Sequence, residues 1–167
     1  MWRRLRVSLL TWPDGVGWAR CGIIAALGLC LIAVVALPTG IARWSPDFAG
    51  WPLRLAKVMV VPAFTEELVF RGLLTPTRGE RSKPIRWIAA GLLLFVAWHV
   101  VEALTFLPGA HLFLTAPFLT CALVLGAGCA AMRYLTGSLW PAVLFHGVTV
   151  FLWQAAFAGP DLAHLLK

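Results

Sequence analysis

The chain has 167 residues, 60% of them hydrophobic and 13% charged, with a formal net charge of +7 and a mean hydropathy of +0.85. An average soluble domain is roughly half apolar and a quarter charged, so this composition excludes an ordinary soluble fold and points to a chain that folds within lipid. The basic residues stand at the ends of apolar segments rather than on one polar face, which argues against nucleic acid as a partner.

Residues 1–17 form a basic N-terminal segment carrying Arg3, Arg4 and Arg6. Apolar runs then recur at Trp18 to Leu37, Leu55 to Leu74, Trp87 to Leu107, His111 to Met132 and Leu139 to Ala158. Each is close to the 20 or so residues that a helix needs to cross about 30 Å of hydrocarbon. The first run is followed by too many similar ones to be only a signal peptide. Pro13 with Asp14, and Pro38 through Pro52, read as interfacial turns. The runs lack the alternation of an outer-membrane barrel. The expected fold is all-α, a polytopic integral-membrane bundle of about five transmembrane helices, with a membrane domain at 18–158 and a short tail at 159–167.

Arg3, Arg4 and Arg6, the loop with Arg78, Arg81, Lys83 and Arg86, and Arg133 all fall on one side of this topology. The positive-inside rule places that side, and the N-terminus, in the cytoplasm, with Arg43, Arg54 and Lys57 weakening the bias. Tryptophans at 2, 12, 18, 44, 51, 87 and 140 cluster near the expected interfaces. Cys21, Cys30, Cys121 and Cys129 show no CxxC spacing and read as small packing residues. Gly126, Gly128 and Ala130 read as a close helix contact.

Ionisable groups inside the spans carry the functional signal. The second span reads VPAFTEELVFRGLL, with Glu66, Glu67 and Arg71; the third contains FVAWH, with Phe95 and His99; the fifth contains LWPAVLFH, ending at His146. At 1.5 Å per residue, Glu66, His99 and His146 lie about 12, 18 and 10 Å from the cytoplasmic helix ends, so they can share one cavity in the cytoplasmic half. Glu67 and Arg71 are four apart, on one helical face, and form a favourable pair. Glu66 points about 100 degrees away and is left for another helix.

A carboxylate in such a cavity can take a proton from water, and histidines opposite it can orient the water or donate to an oxyanion, which suits amide hydrolysis. The same Glu66, His99 and His146 suit zinc, with an open position for water. No HExxH accompanies them. The residues alone leave a metal-free site and a zinc site both open. The bland alternative is that Glu67 and Arg71 neutralise each other while Glu66 and the histidines tie helices together. Glu102, three residues after His99, either orients that imidazole or makes a structural contact near the outer interface. His111 and His164 read as interfacial.

Taken in order, E66-E67-L-V-F-R71, F95-V-A-W-H99 and H146 following T136-G-S-L-W-P-A-V-L-F resemble the first three motifs of the glutamic-type CAAX-processing and bacteriocin-processing intramembrane protease family, over residues 55–158. The resemblance implies a membrane endopeptidase in which Glu66 activates water, His99 and His146 complete the site, Glu67 assists and Arg71 supports the glutamates. Members of that family have been described both as metal-dependent and as glutamate proteases. Where the family commonly has Asn or Asp four residues after its last histidine, this chain has Val150, with Thr149 or Gln154 the nearest polar replacements.

The short length and the H146-G-V-T-V-F-L-W ending are also similar to the JDVT-CTERM type, whose members partner a C-terminal sorting signal in bacterial surface proteins. That likeness implies a membrane-anchored protein or peptide as substrate and the bacterial cytoplasmic membrane as location. Buried Glu and His would equally serve a proton-coupled transporter, although no internal repeat is visible. Val150 keeps a catalytically weakened scaffold or immunity protein in view.

Overall fold

The computed structural model describes residues 2–80 and 83–166, the side chains of residues 162 and 163 excepted. Arg81, counted above in the basic loop, lies outside the described residues. The described chain is all helical: α1 (Trp2–Leu10), α2 (Gly15–Ala36), α3 (Trp51–Val58), α4 (Thr65–Glu67), α5 (Pro84–Thr105), α6 (Ala116–Thr136), α7 (Trp140–Ala156) and α8 (Leu162–Leu165). The one extended pairing among the described residues is an isolated bridge between Ser45 and Phe157. The expected polytopic helical membrane bundle is the fold observed.

Asp14 starts α2 by accepting the Gly17 N–H at 2.7 Å, a cap worth about 1 kcal/mol. The helix then runs apolar on every side, with Ile23, Leu27, Leu31 and Val34 all more than half exposed in one stripe. In water such a stripe would be a liability; in lipid it is an ordinary outer face. Among the described residues three helices, α2, α5 and α6, are long and apolar enough to cross a membrane. The expected span at His111 to Met132 is shifted: His111–Leu114 forms a short 3₁₀ turn, and α6 itself starts after Thr115, with Pro117 in its first turn. The fifth expected span, α7, is 17 residues long.

The second expected span, Leu55 to Leu74, is not one helix. Val61 is extended (φ −131°, ψ 116°) inside the wide π-helical turn Met59–Phe64, because Pro62 has no N–H to donate and excludes the helical conformation from the residue before it. A second π-helical stretch, Leu68–Leu74, follows α4. The glutamate pair therefore occupies a single turn of α-helix between two irregular ones, the kind of local distortion that recurs at functional sites.

Helix α6 lies at the centre, packed by α2, α5 and α7. A Cβ at Gly28 or Gly128 would stand 2.7 or 2.8 Å from the Phe145 ring, so these glycines let α2 and α6 close on α7. Helix α1 is docked rather than free: Ser8 is fully buried, its carbonyl accepts the Leu139 N–H at 2.9 Å, and Trp140 Nε1 donates to Leu9 O at 3.0 Å. At the other end the loop after α2 lies along the end of α7, with Trp153 Nε1 donating to Ile41 O at 2.9 Å. The tail also packs, Gly109 N donating to Leu165 O at 3.0 Å. The cysteines are all free; Cys21 and Cys129 are buried as expected of packing residues, whereas Cys30 is exposed.

Candidate active site

The break at Val61 turns both glutamates inward: Glu67 is fully buried and Glu66 is 8% exposed. They face different neighbours, as their separation on the helix predicts. The expected Glu67–Arg71 pair is present, with Arg71 Nη1 donating to Glu67 Oε1 at 3.1 Å. Arg71 Nη2 donates to the Gly126 carbonyl at 2.9 Å, and the guanidinium lies 4.1 Å from the centre of the Phe95 ring. These contacts hold a buried cation by charge, hydrogen bond and aromatic face together. Arg133 Nε in turn donates to Arg71 O at 3.2 Å.

His146, from α7, closes the network from the other side. Its Nδ1 is 2.9 Å from Glu67 Oε1, the same oxygen that Arg71 engages. With the carboxylate as acceptor, Nδ1 carries the hydrogen and Nε2 is left free. A carboxylate of this kind fixes both the tautomer and the ring orientation.

His99, from α5, has its own anchor. Its Nδ1 donates to the Phe95 carbonyl at 2.9 Å, one turn back on the same helix, which leaves Nε2 with its lone pair. Phe95 is fully buried between the two imidazoles, with ring centres 4.8 Å from His99 and 6.0 Å from His146, both edge to face. Phe113 and Phe118 pack on the other side of His99. Phe95 thus spaces the histidines with its ring while its carbonyl holds one of them.

Glu66, His99, Glu102 and His146 all line one cavity of about 1210 Å³ whose walls are otherwise largely apolar. Within it, one donor atom each from Glu66, His99 and Glu102 lies within 4.8 Å of the others. This differs from the metal set expected from sequence. His146 is not in that group, its Nδ1 lying on Glu67 and its Nε2 free; Glu102, read as an orienting or interfacial residue, stands there instead. The helical spacing of His99 and Glu102 was the available signal, since residues three apart share a face.

Of the polar groups nearest Val150, Thr149 Oγ1 donates to Phe145 O at 2.7 Å, and Gln154 Nε2 donates one hydrogen to Pro160 O at 3.2 Å. Both residues line the cavity with Val150, and the second N–H of the Gln154 amide is left over. The cavity does not run toward the basic end of the bundle. Its walls continue past Leu37, Arg54, Lys57 and Asp161, at the ends of α2 and α7 opposite to Arg4 and Arg133. The polar residues sit deep because the kinked segment 59–74 enters from that same end. His111 and His164 are exposed, the latter paired with Asp161 at 2.9 Å.

Apolar helices round a deep cavity, with carboxylates and imidazoles at its floor, define a polytopic membrane protein with a buried ionisable site. Residues 48–152 match the family described as type II CAAX prenyl endopeptidase Rce1-like, and the chain belongs to that family. It is accordingly an intramembrane protease acting on membrane-associated protein. The match begins just before α3 and ends inside α7, so it takes in Glu66, Glu67, Arg71, His99, Glu102 and His146. No curated protein and no solved structure matches the chain.

Proposed function

We propose that the protein hydrolyses a peptide bond of a membrane-tethered protein, with Glu66 as the group that activates water. The observation that carries this reading is the buried Oε2 of Glu66, which has no hydrogen-bond partner and stands at the floor of a cavity shared with His99 and His146. Glu66 accepts a proton from a water held between it and His99 Nε2. The water oxygen bonds to the scissile carbonyl carbon, and the carbonyl electron pair moves onto oxygen. When protonated, His146 donates from Nε2 to that oxyanion, its other nitrogen fixed by Glu67. Return of the electron pair breaks the C–N bond, and the proton on Glu66 passes to the departing nitrogen. The products are a carboxylic acid, which releases its proton to water, and an amine, with Glu66 ionised again.

Glu67 and Arg71 position the histidine and Phe95 spaces the two imidazoles. With Val150 apolar and Thr149 Oγ1 given to a backbone carbonyl, His146 is the main donor to the oxyanion. The membrane domain at 18–158 is the catalytic unit in this reading. Docking of the N-terminal segment and the tail supports treating them as part of the same body.

With the N-terminus in the cytoplasm of a bacterial inner membrane, the cavity opens to the outer face, past Arg54 and Asp161. A substrate anchored near its C-terminus by a sorting signal, the class suggested by the His146 to Trp153 stretch, would present its scissile bond there. The test is reconstitution in lipid with a panel of membrane-tethered peptides and mass spectrometry of the products. New termini that vanish in H99A and H146A are expected. Intact peptides throughout, or cleavage that survives both variants, would overturn the reading.

A further inference from the structure

Glu102 is not accounted for by hydrolysis as described above. It is a carboxylate from α5 that shares the cavity floor with Glu66, which comes from a different element, and the two stand with His99 inside a 4.8 Å sphere of separations. Arg71 is engaged by Glu67 and by the Gly126 carbonyl, so it supplies no ion pair to this cluster. Two acidic groups that close in an apolar cavity call for a cation between them.

We propose that Glu66, His99 and Glu102 form the binding site of one divalent transition-metal ion of the zinc type. The donor chemistry fits: two carboxylates and one neutral imidazole are a ligand set that such ions accept. The imidazole is prepared for it, since Nδ1–H donation to Phe95 O leaves the Nε2 lone pair available and fixes the ring, the usual arrangement behind a metal-bound histidine. The unpartnered, buried Oε2 of Glu66 is an independent sign of a missing neighbour at this point. Donors about 2.0–2.2 Å from one tetrahedral ion stand roughly 3.5 Å apart, and the three donor atoms here all lie within 4.8 Å of one another, so side-chain adjustment brings them onto one ion.

Only the role of the ion, not its binding, rests on the proposed hydrolytic reading: with His99 Nε2 given to the ion, the reacting water would be held by the ion in place of that nitrogen and made more acidic beside Glu66. One carboxylate oxygen of Glu66 serves the ion and the other remains for the water's proton. His146 stays outside the set, held by Glu67. The site is thus distinct from the Glu66, His99 and His146 trio that the sequence suggests.

The test measures metal rather than turnover. Detergent-purified full-length protein is saturated with zinc, desalted and analysed for bound metal by mass spectrometry, and the visible absorption of a cobalt-loaded sample is recorded. About one equivalent of ion is expected for the intact protein. E102Q and E102A are expected to lose at least tenfold in affinity and the cobalt bands, and H146A to keep both. E102D, which retains the charge, separates a lost ligand from a lost fold by recovering part of the affinity. Less than a tenth of an equivalent in the intact protein overturns the site, as does full binding by E102Q, or loss in H146A with retention in E102Q. A protein that cleaves substrate while holding no ion overturns this inference and leaves the hydrolytic reading intact. One that holds the ion and never cleaves does the reverse.

Discussion

Glu67 holds His146: the 2.9 Å contact from Nδ1 to Oε1 joins the irregular segment before α5 to the last long helix, across 79 positions of sequence. Because Arg71 engages the same oxygen, loss of the carboxylate charge disturbs two partners at once. Glu67→Gln is expected to slow cleavage tenfold to hundredfold, the usual loss when a buried group that orients a histidine is altered. It also leaves Arg71 without its counter-charge, at a cost of roughly 3–5 kcal/mol. Adding Arg71→Met should restore thermal stability without restoring rate, which a melting curve and a cleavage assay on the same samples will separate.

Gly126 governs how closely α6 approaches this network. A Cβ at that position would lie 2.8 Å from Arg71 Nη2 and 2.8 Å from Phe95 Cδ1. Gly126→Ala is therefore expected to destabilise the fold by roughly 1–3 kcal/mol, as overpacking commonly does. It should also slow cleavage by shifting Arg71. Gly22→Ala, with open space around it, should do neither.

At the basic end, Arg4 Nε donates to Glu80 Oε1 at 2.7 Å, and the Thr77 N–H donates to Oε2 at 3.1 Å. Burial alone would raise the Glu80 carboxyl, but the Arg4 hydrogen bond and charge and the Thr77 N–H outweigh it and hold the group below its ordinary value of 4.5. A depressed value means that this stabilisation is present above pH 4.5 and is lost as pH falls through the lower folded value. Protease nicking of the loop after residue 74 should increase below pH 4.5 in the intact protein, and Glu80→Gln should show the acid-like nicking already at neutral pH. The effect is modest, because the pair is partly solvated.

The long apolar runs made the membrane class and α2, α5 and α6 legible, since hydropathy and length are local properties. The Glu67–Arg71 pair was legible for the same reason: four residues on one helix fix a neighbour. The break at Val61 was less so, because a proline inside a lipid-facing run is compatible with a helix whenever neighbours satisfy the freed backbone. The partners of His146 and Glu102 depend on the rotation of separate helices about their axes, which packing sets and hydropathy does not encode. Counting residues from assumed helix ends put Glu66, His99 and His146 within reach of one cavity, but the direction in which that cavity extends, past Leu37, Arg54 and Asp161, follows from the kinked segment and not from the count. Helix α1 escaped notice because a basic segment of nine residues is too short to span and its anchoring contacts, to Leu139 and Trp140, lie far along the chain.

The most direct test of Glu66 as the water-activating group compares the intact protein with Glu66→Gln at equal abundance and equal melting temperature, by mass-spectrometric quantification of a cleaved membrane-tethered substrate. Removal of a general base is worth about 10²–10⁴ in rate, so the account predicts that product falls at least a hundredfold while the fold is kept. Cleavage by Glu66→Gln at the rate of the intact protein would contradict it.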